Sequence, residues 1–234
     1  PELPVWQVIT ESSNLGTARI AKMIGPEKQR EFLSSLGFTK PTSIEMIEAS
    51  GGKPLLPKRW SELETMTISY GHGLSATPLH LATGYATLAN GGRLVKPTLL
   101  EEEKLGLGQQ IISKEVAKNS LAMLRGVVTE GTASLADVNG YFVAGKTGTA
   151  DKPSAQGGYD KEKNITSFAS IFPIHEPKYV LVVTLDEAQD TSGPEPKRTA
   201  GWTAVPVSAE IIARVAPLLG LRPKFDNQST VGVI

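Results

Sequence analysis

Gly140-Tyr141-Phe142-Val143-Ala144-Gly145-Lys146-Thr147-Gly148-Thr149 is the stretch on which the fold class turns. Through Thr147 it satisfies G-x-x-x-x-G-K-[ST], the letters of a phosphate-binding loop. Such a loop needs flexible residues before its lysine and a helix N-terminus after it, aimed at the phosphate. Here the four intervening residues are Tyr141, Phe142, Val143 and Ala144, which favour a strand. After Lys146 come Thr147-Gly148-Thr149-Ala150-Asp151-Lys152-Pro153, a poor start for a helix. The apolar run from Tyr179 to Asp186 does end on an acid, as a magnesium-holding strand would, but it cannot supply the missing helix. Residues 141–149 therefore read as a strand, and a nucleotide hydrolase is the weaker alternative.

As a strand motif, Lys146-Thr147-Gly148 has a different chemistry. On an edge strand the ammonium supplies positive charge and the hydroxyls of Thr147 and Thr149 supply donors. Gly148 removes the side chain where a ligand backbone would lie alongside. Such an edge can take an extended peptide by strand addition.

The neighbouring sequence extends this reading. Residues 165–172 and 179–186 are rich in Val, Ile, Phe and Leu and read as two more strands. The short turn His175-Glu176-Pro177-Lys178 between them makes the pair antiparallel. Tyr159 and the Gly157-Gly158 pair read as the turn after the first strand. Upstream, helices are expected over 4–11, 14–24 and about 26–36, the last with Pro26 at its favoured first position. Residues 38–60, with Gly51-Gly52-Lys53-Pro54, read as an irregular surface segment. Thr77-Pro78 starts a helix that ends at Asn90-Gly91-Gly92, and Ser113 caps another over about 114–130. A final helix is expected over about 203–219. Helices, then antiparallel strands, then a helix make an α+β pattern rather than alternating βαβ units.

The 234 residues carry 24 Lys and Arg against 24 Asp and Glu, so no basic excess points to nucleic acid. No Cys is present, which removes disulfides, thiol catalysis and zinc-thiolate sites. His72, His80 and His175 form no close pair at metal spacing and read as polar loop or helix residues; no metal or cofactor is expected. No apolar run approaches the roughly 18 residues of a membrane span. Pro1-Glu2-Leu3-Pro4 is no leader, so the chain reads as a mature segment or a piece of something longer.

Lys146-Thr147-Gly148 gains weight from partners. Ser12-Ser13-Asn14 fits S-x-N at a break between two expected helices. S-x-x-K, S-D-N and K-T-G together mark serine β-lactamases and penicillin-binding proteins. The chain resembles the transpeptidase domain of class B high-molecular-weight penicillin-binding proteins, and within them the division-specific transpeptidases. Tyr70-Gly71-His72-Gly73-Leu74-Ser75-Ala76-Thr77-Pro78-Leu79-His80-Leu81-Ala82 is similar to that family's YGxGxxxTPxQxA segment, with His80 where the family usually has Gln. Gly201-Trp202-Thr203-Ala204-Val205-Pro206 is similar to its GxxAxP opening of the last helix. The four segments stand in family order along essentially the whole chain.

The resemblance implies the penicillin-binding transpeptidase fold, an antiparallel sheet flanked by helices, incomplete here with three of five strands. Residues 1–223 would be the C-terminal part of one domain: helical to about 136, strands over about 141–186, the last helix over about 203–219. Residues 224–234 would be a tail. It implies peptidoglycan D,D-transpeptidation through a serine acyl-enzyme. Ser12 would relay a proton to the leaving amine, Asn14 would bind the acyl side, and Lys146 would hold the site positive. Thr147 and Thr149 would grip the substrate's terminal carboxylate, Gly148 would leave room for its backbone, and the Thr149 N–H would be one of two oxyanion donors. Taken singly, these residues have plainer readings: Ser12 and Asn14 as helix caps, Lys146 as a solvated strand lysine, the threonines as strand formers, Gly71 and Gly73 as packing residues.

No acceptable nucleophile motif is legible. Ser50-Gly51-Gly52-Lys53 has the letters of S-x-x-K but follows S-x-N, and its glycines and Pro54 spoil the helix that would align serine with lysine. Thr149-Ala150-Asp151-Lys152 overlaps the lysine motif itself. The nucleophile is therefore expected on an upstream segment of the same domain, truncated from this chain or held on a second one. A binding module that lost its nucleophile and a hydrolytic relative, a D,D-carboxypeptidase or β-lactamase, are the alternatives. The partners implied are peptidoglycan stem peptides, β-lactams, the upstream part of the domain and cell-division proteins. The place implied is the periplasmic face of the bacterial inner membrane, with an N-terminal anchor outside this chain.

Overall fold

The computed structural model describes residues 2–101, 108–154 and 156–225. Three short helices open the chain: α1 (Val5–Thr10), α2 (Asn14–Ile24) and α3 (Pro26–Ser35). After an irregular segment with one 3₁₀ turn at Ile47–Gly51 come α4 (Glu62–Ser69), α5 (Pro78–Ala89) and α6 (Lys114–Thr129). Strands β1 (Ala144–Pro153), β2 (Tyr159–Phe172) and β3 (Tyr179–Asp186) follow, and α7 (Ala204–Leu218) closes the order. The sheet order is β1-β2-β3 and both pairings are antiparallel, with Lys146 opposite Ala169 and Phe168 opposite Val183. Of the tail expected at 224–234, residues 226–234 lie outside the described residues.

The core forms where the sheet meets α6 and α7. Val127 and Val128 of α6, Val143, Phe168 of β2, and Val205 and Ile212 of α7 are all buried there. On the other side, Ile171, Ala144 and Leu124 pack with Tyr85, Leu88 and Ala89. β2 is the central strand, and its half nearest the core, Phe168–Phe172, is buried along its whole length. The first six residues of β2 are mostly exposed and project with the end of β1 as a hairpin beyond the core.

The structure departs from the sequence reading at both ends of the first strand, which runs on to Pro153, at the start of the second and at one further helix. The strand expected from 141 begins at Ala144, because Gly140 and Phe142 have φ of 84° and 45° and turn the chain first. Tyr141 and Val143 still enter the core, from that turn. The second strand begins at Tyr159 rather than 165, so Tyr159 is a strand residue and the turn belongs to Gly157 and Gly158, with φ of 92° and 74°. Helix α4 went unread, although Ser61 and Glu64 form a capping box whose Ser61 N–H donates to Glu64 Oε2 at 3.0 Å. Lys146 lies inside a strand that continues to Pro153, so the phosphate-loop alternative fails for want of a helix after it.

His80 closes a capping box at the start of α5. At N3 of α5, its Nδ1 accepts from the Thr77 N–H at 3.3 Å while its own N–H donates to Thr77 Oγ1. That leaves Nε2 to donate to the Lys40 carbonyl at 2.7 Å. His80→Ala is expected to cost about 1–2 kcal/mol by removing a buried cap. His80→Gln should cost much less. Thermal unfolding of the two variants checks the difference.

Candidate active site

β1 pairs with β2 alone, so among the described residues its outer edge is free, as expected of a strand that receives a ligand. That edge faces the break between α1 and α2. The break is held tightly: a Cβ on Gly16 would lie 2.7 Å from Val8 Cγ1, so α2 packs directly on α1. Ser13 caps α2, its Oγ accepting from the Gly16 N–H at 3.2 Å. Ser12 stands just before it with φ of 57°, a conformation that costs a non-glycine residue energy and marks functional positions. The plainer reading of Ser12 and Asn14 as caps is therefore corrected. Ser13 does the capping, Asn14 is the first residue of α2, and the Ser12 hydroxyl is left for the cleft.

Lys146 meets that hydroxyl. Its Nζ donates to Ser12 Oγ at 2.8 Å and lies 3.3 Å from both the Thr147 carbonyl oxygen and Thr147 Oγ1. An ammonium has three protons, and these three acceptors account for them. Burial pushes the lysine's pKa down to about 8. At neutral pH the ammonium still predominates, yet a neutral amine is within easy reach. This is far from a solvated strand lysine.

The rest of the wall follows the strand. Thr147 Oγ1 lies 2.8 Å from Thr132 Oγ1. Thr149 is exposed, and its Oγ1 accepts from the Ala200 N–H at 3.0 Å. Gly148 is exposed, and a Cβ built there would meet nothing within 4 Å. Packing does not demand glycine at that position; the space it leaves opens outward beside the lysine. A cleft of about 500 Å³ runs along this edge, lined by Ser12, Asn14, Lys146, Thr147 and Gly148. Its floor is apolar, with Leu81, Leu124 and Tyr85, whose phenol pKa burial pushes up.

The structure thus brings Ser12, Asn14, Lys146, Thr147 and Gly148 to one cleft, with Thr149 next along the same strand. Tyr70 and Gly71 also line it. Gly71 is not the packing residue expected: a Cβ there would touch nothing within 4 Å, and the position requires glycine for its φ of 98°. Thr132 was not foreseen, because a threonine after a helix carries no sequence signal of its partner across the fold. Among the described residues, neither stray nucleophile motif has a serine or threonine paired with a free lysine. Ser50 is exposed and donates to the Ile47 carbonyl at 2.9 Å. Lys152 is held by Asp186 at 2.6 Å and Glu187 at 2.8 Å, which leaves it no role as a base. No helix among the described residues is long and apolar enough to cross a membrane.

Comparison with known proteins fits this geometry. The family described as penicillin binding protein transpeptidase domain matches residues 2–212. The chain is 33% identical to a probable peptidoglycan D,D-transpeptidase FtsI of Caulobacter vibrioides, over 96% of this chain and 39% of that protein. It is 29% identical to the peptidoglycan D,D-transpeptidase FtsI of Escherichia coli, over 95% of this chain and 37% of that protein. The chain thus spans about two fifths of these curated relatives. Among solved structures, the apo transpeptidase domain of Burkholderia pseudomallei penicillin-binding protein 3 superposes with a TM-score of 0.84 at 32% identity, covering 97% of this chain and 67% of that one. Penicillin-binding protein 3 of Mycobacterium tuberculosis in complex with ampicillin gives a TM-score of 0.81 at 26% identity, covering 96% and 53%.

Proposed function

Because the chain belongs to the penicillin-binding protein transpeptidase domain family, we propose that it is part of a peptidoglycan D,D-transpeptidase that cross-links stem peptides during cell division. The observation that carries the proposal is the 2.8 Å bond from Lys146 Nζ to Ser12 Oγ at the free edge of β1. It joins the lysine motif and the S-x-N motif into one proton-transfer unit.

The reaction divides into two acyl transfers. A serine oxygen from the upstream segment attacks the carbonyl carbon of the penultimate D-Ala, and the C–N bond to the last D-Ala breaks. Ser12, linked to Lys146, passes a proton to the departing amine, and the proton given up by the attacking serine replaces it. The carboxamide of Asn14 holds the acyl side. Thr147 and Thr149 hold the terminal carboxylate, and Lys146 keeps the site positive. The Thr149 N–H faces the oxyanion as one of two donors, such a donor contributing about 3 kcal/mol in the transition state. An amine from a second strand then attacks the ester, forms the cross-link and returns the proton to the serine oxygen.

The same proposal assigns the upstream segment a structural place. Among the described residues the second edge of β3 pairs with no strand, although Val180, Leu181, Val182, Val183 and Leu185 make it as apolar as an interior strand. Strands of the upstream segment complete the sheet there, and another part of that segment brings the attacking serine to the cleft at the opposite edge. The intact protein works at the periplasmic face of the inner membrane, anchored outside this chain, with β-lactams as inhibitors and cell-division proteins as partners.

The test is to give the intact protein a stem-peptide donor ending in D-Ala-D-Ala and an amine acceptor. Release of D-Ala with formation of the new amide, blocked by a β-lactam, is expected. Release of D-Ala with hydrolysis alone would make the enzyme a carboxypeptidase, and no release would overturn the proposal.

A further inference from the structure

Thr132 follows α6 and touches β1 through one bond, its hydroxyl oxygen lying 2.8 Å from that of Thr147. Thr147 Oγ1 also lies 3.3 Å from Lys146 Nζ. A hydroxyl has one proton to give and two lone pairs to fill. The Lys146 ammonium has no lone pair, so it can only donate, and it fills one lone pair of Thr147. The outcome then depends on the direction of the bond between the two threonines. Were Thr147 the donor, its proton would be used on Thr132, and it would show a carboxylate only a lone pair. With Thr132 as donor, both lone pairs of Thr147 are filled and its proton is left to point into the cleft. Resting on the proposed carboxylate-binding role of Thr147, we infer that Thr132 is a positioning residue: it donates to Thr147 and so orients the Thr147 proton toward the substrate's terminal carboxylate.

Two further observations support this. The backbone around Thr132 is wedged in place. A Cβ on Gly131 would lie 2.4 Å from the Thr10 carbonyl oxygen, and one on Gly201 would lie 2.9 Å from the Thr132 carbonyl oxygen. The segment is thus clamped between the end of α1 and the 3₁₀ turn Ala200–Trp202, and its next residue, Ala133, is fully buried. That same 3₁₀ turn treats Thr149 in the same way. The Ala200 N–H can only donate, so it fills a lone pair of Thr149 Oγ1 and leaves the Thr149 proton free. Each threonine of the wall therefore receives a donor from outside its strand, and each keeps a proton for the ligand.

The experiment compares the intact protein with its Thr132→Val, Thr132→Ser and Thr147→Val variants on two donors, one ending in a free carboxylate and the other in the corresponding carboxamide. T132V is expected to lower kcat/KM for the carboxylate donor about tenfold, mainly through KM, as loss of a hydrogen bond to a charged group would. The carboxamide donor, whose oxygen accepts without a charge, should lose only about two- to threefold, and T132S should behave as the parent. T147V should show the same selectivity. Equal losses on both donors in T132V, or no loss while T147V remains selective, would overturn the role of Thr132 alone. If T147V does not discriminate, the carboxylate role of Thr147 fails and the inference with it. Thr132 is exposed, so T132V should fold; if melting shows otherwise, Thr132→Ala carries the same comparison.

Discussion

Lys146→Ala in the intact protein is expected to slow acylation by a β-lactam about a thousandfold while the fold survives, a loss in the range of removing a positioned proton-transfer group. The lysine donates to Ser12 across the cleft and to Thr147 within its own strand. Its loss would untie the proposed proton relay and remove the positive charge from the proposed carboxylate wall at once. Lys146→Arg should not rescue the rate, because a planar fork cannot reproduce a point donor at 2.8 Å from Ser12 in a partly buried site. Stopped-flow acylation measures both variants, and an unchanged rate in Lys146→Ala would remove the lysine from the mechanism.

The depressed pKa of Lys146 gives that prediction a pH signature. Below about pH 8 the native lysine is charged and, in its proposed role, makes the site positive toward a carboxylate; above it the charge is lost. KM for a donor with a free carboxylate should therefore rise as pH passes 8, while a carboxamide donor should not follow. Stability carries the opposite trend. Between pH 8 and the ordinary lysine value of 10.5 the unfolded chain binds more protons than the native one, so stability rises with pH over that window. Lys146→Met should be more stable than the parent at pH 7, with the gap closing toward pH 10.5.

The second large effect is all or none. Residues 1–234 alone should take no covalent label from a fluorescent penicillin. Ring opening needs an attacking oxygen with a base beside it. Leu15 occupies the position three residues after Ser12 where an activating lysine would stand, and Ser50 is tied to its own turn. Supplying the upstream part of the domain in trans should restore labelling on the added piece. Mass spectrometry of the labelled mixture separates the outcomes, and a penicilloyl adduct on any Ser or Thr of this chain would show that the nucleophile lies within it.

Much of this architecture was legible in the residues. Turn length fixed the antiparallel pairing of 165–172 with 179–186, and Thr77-Pro78 placed the start of α5 to the residue. Rejecting the phosphate loop on its four bulky intervening residues left Lys146 on a strand, where it lies. The misreadings have local causes. The turn at Phe142 breaks an apolar run that alternation alone reads as continuous. The hairpin residues 159–164 are polar, so no burial pattern announces them as strand. Of the residues brought to the cleft, Lys146, Ser12 and Asn14 are those the motifs single out. Thr132 carries no such signal, since its contact with Thr147 depends on a turn packed by Gly131 and Gly201 that exists only in three dimensions. Ser13 took the capping role from its neighbours for the same reason, because the backbone at Ser12 turns to positive φ and offers its side chain to Lys146 instead.

The ligand is expected to lie along the free edge of β1. The most direct measurement is a crystal structure of the intact protein acylated by a β-lactam. The ligand's carboxylate should lie within hydrogen-bonding distance of the Thr147 and Thr149 hydroxyls, beside Lys146 and over Gly148, with the ester on a serine outside residues 1–234. A carboxylate bound elsewhere, with the edge of β1 from Lys146 to Thr149 left empty, would contradict it.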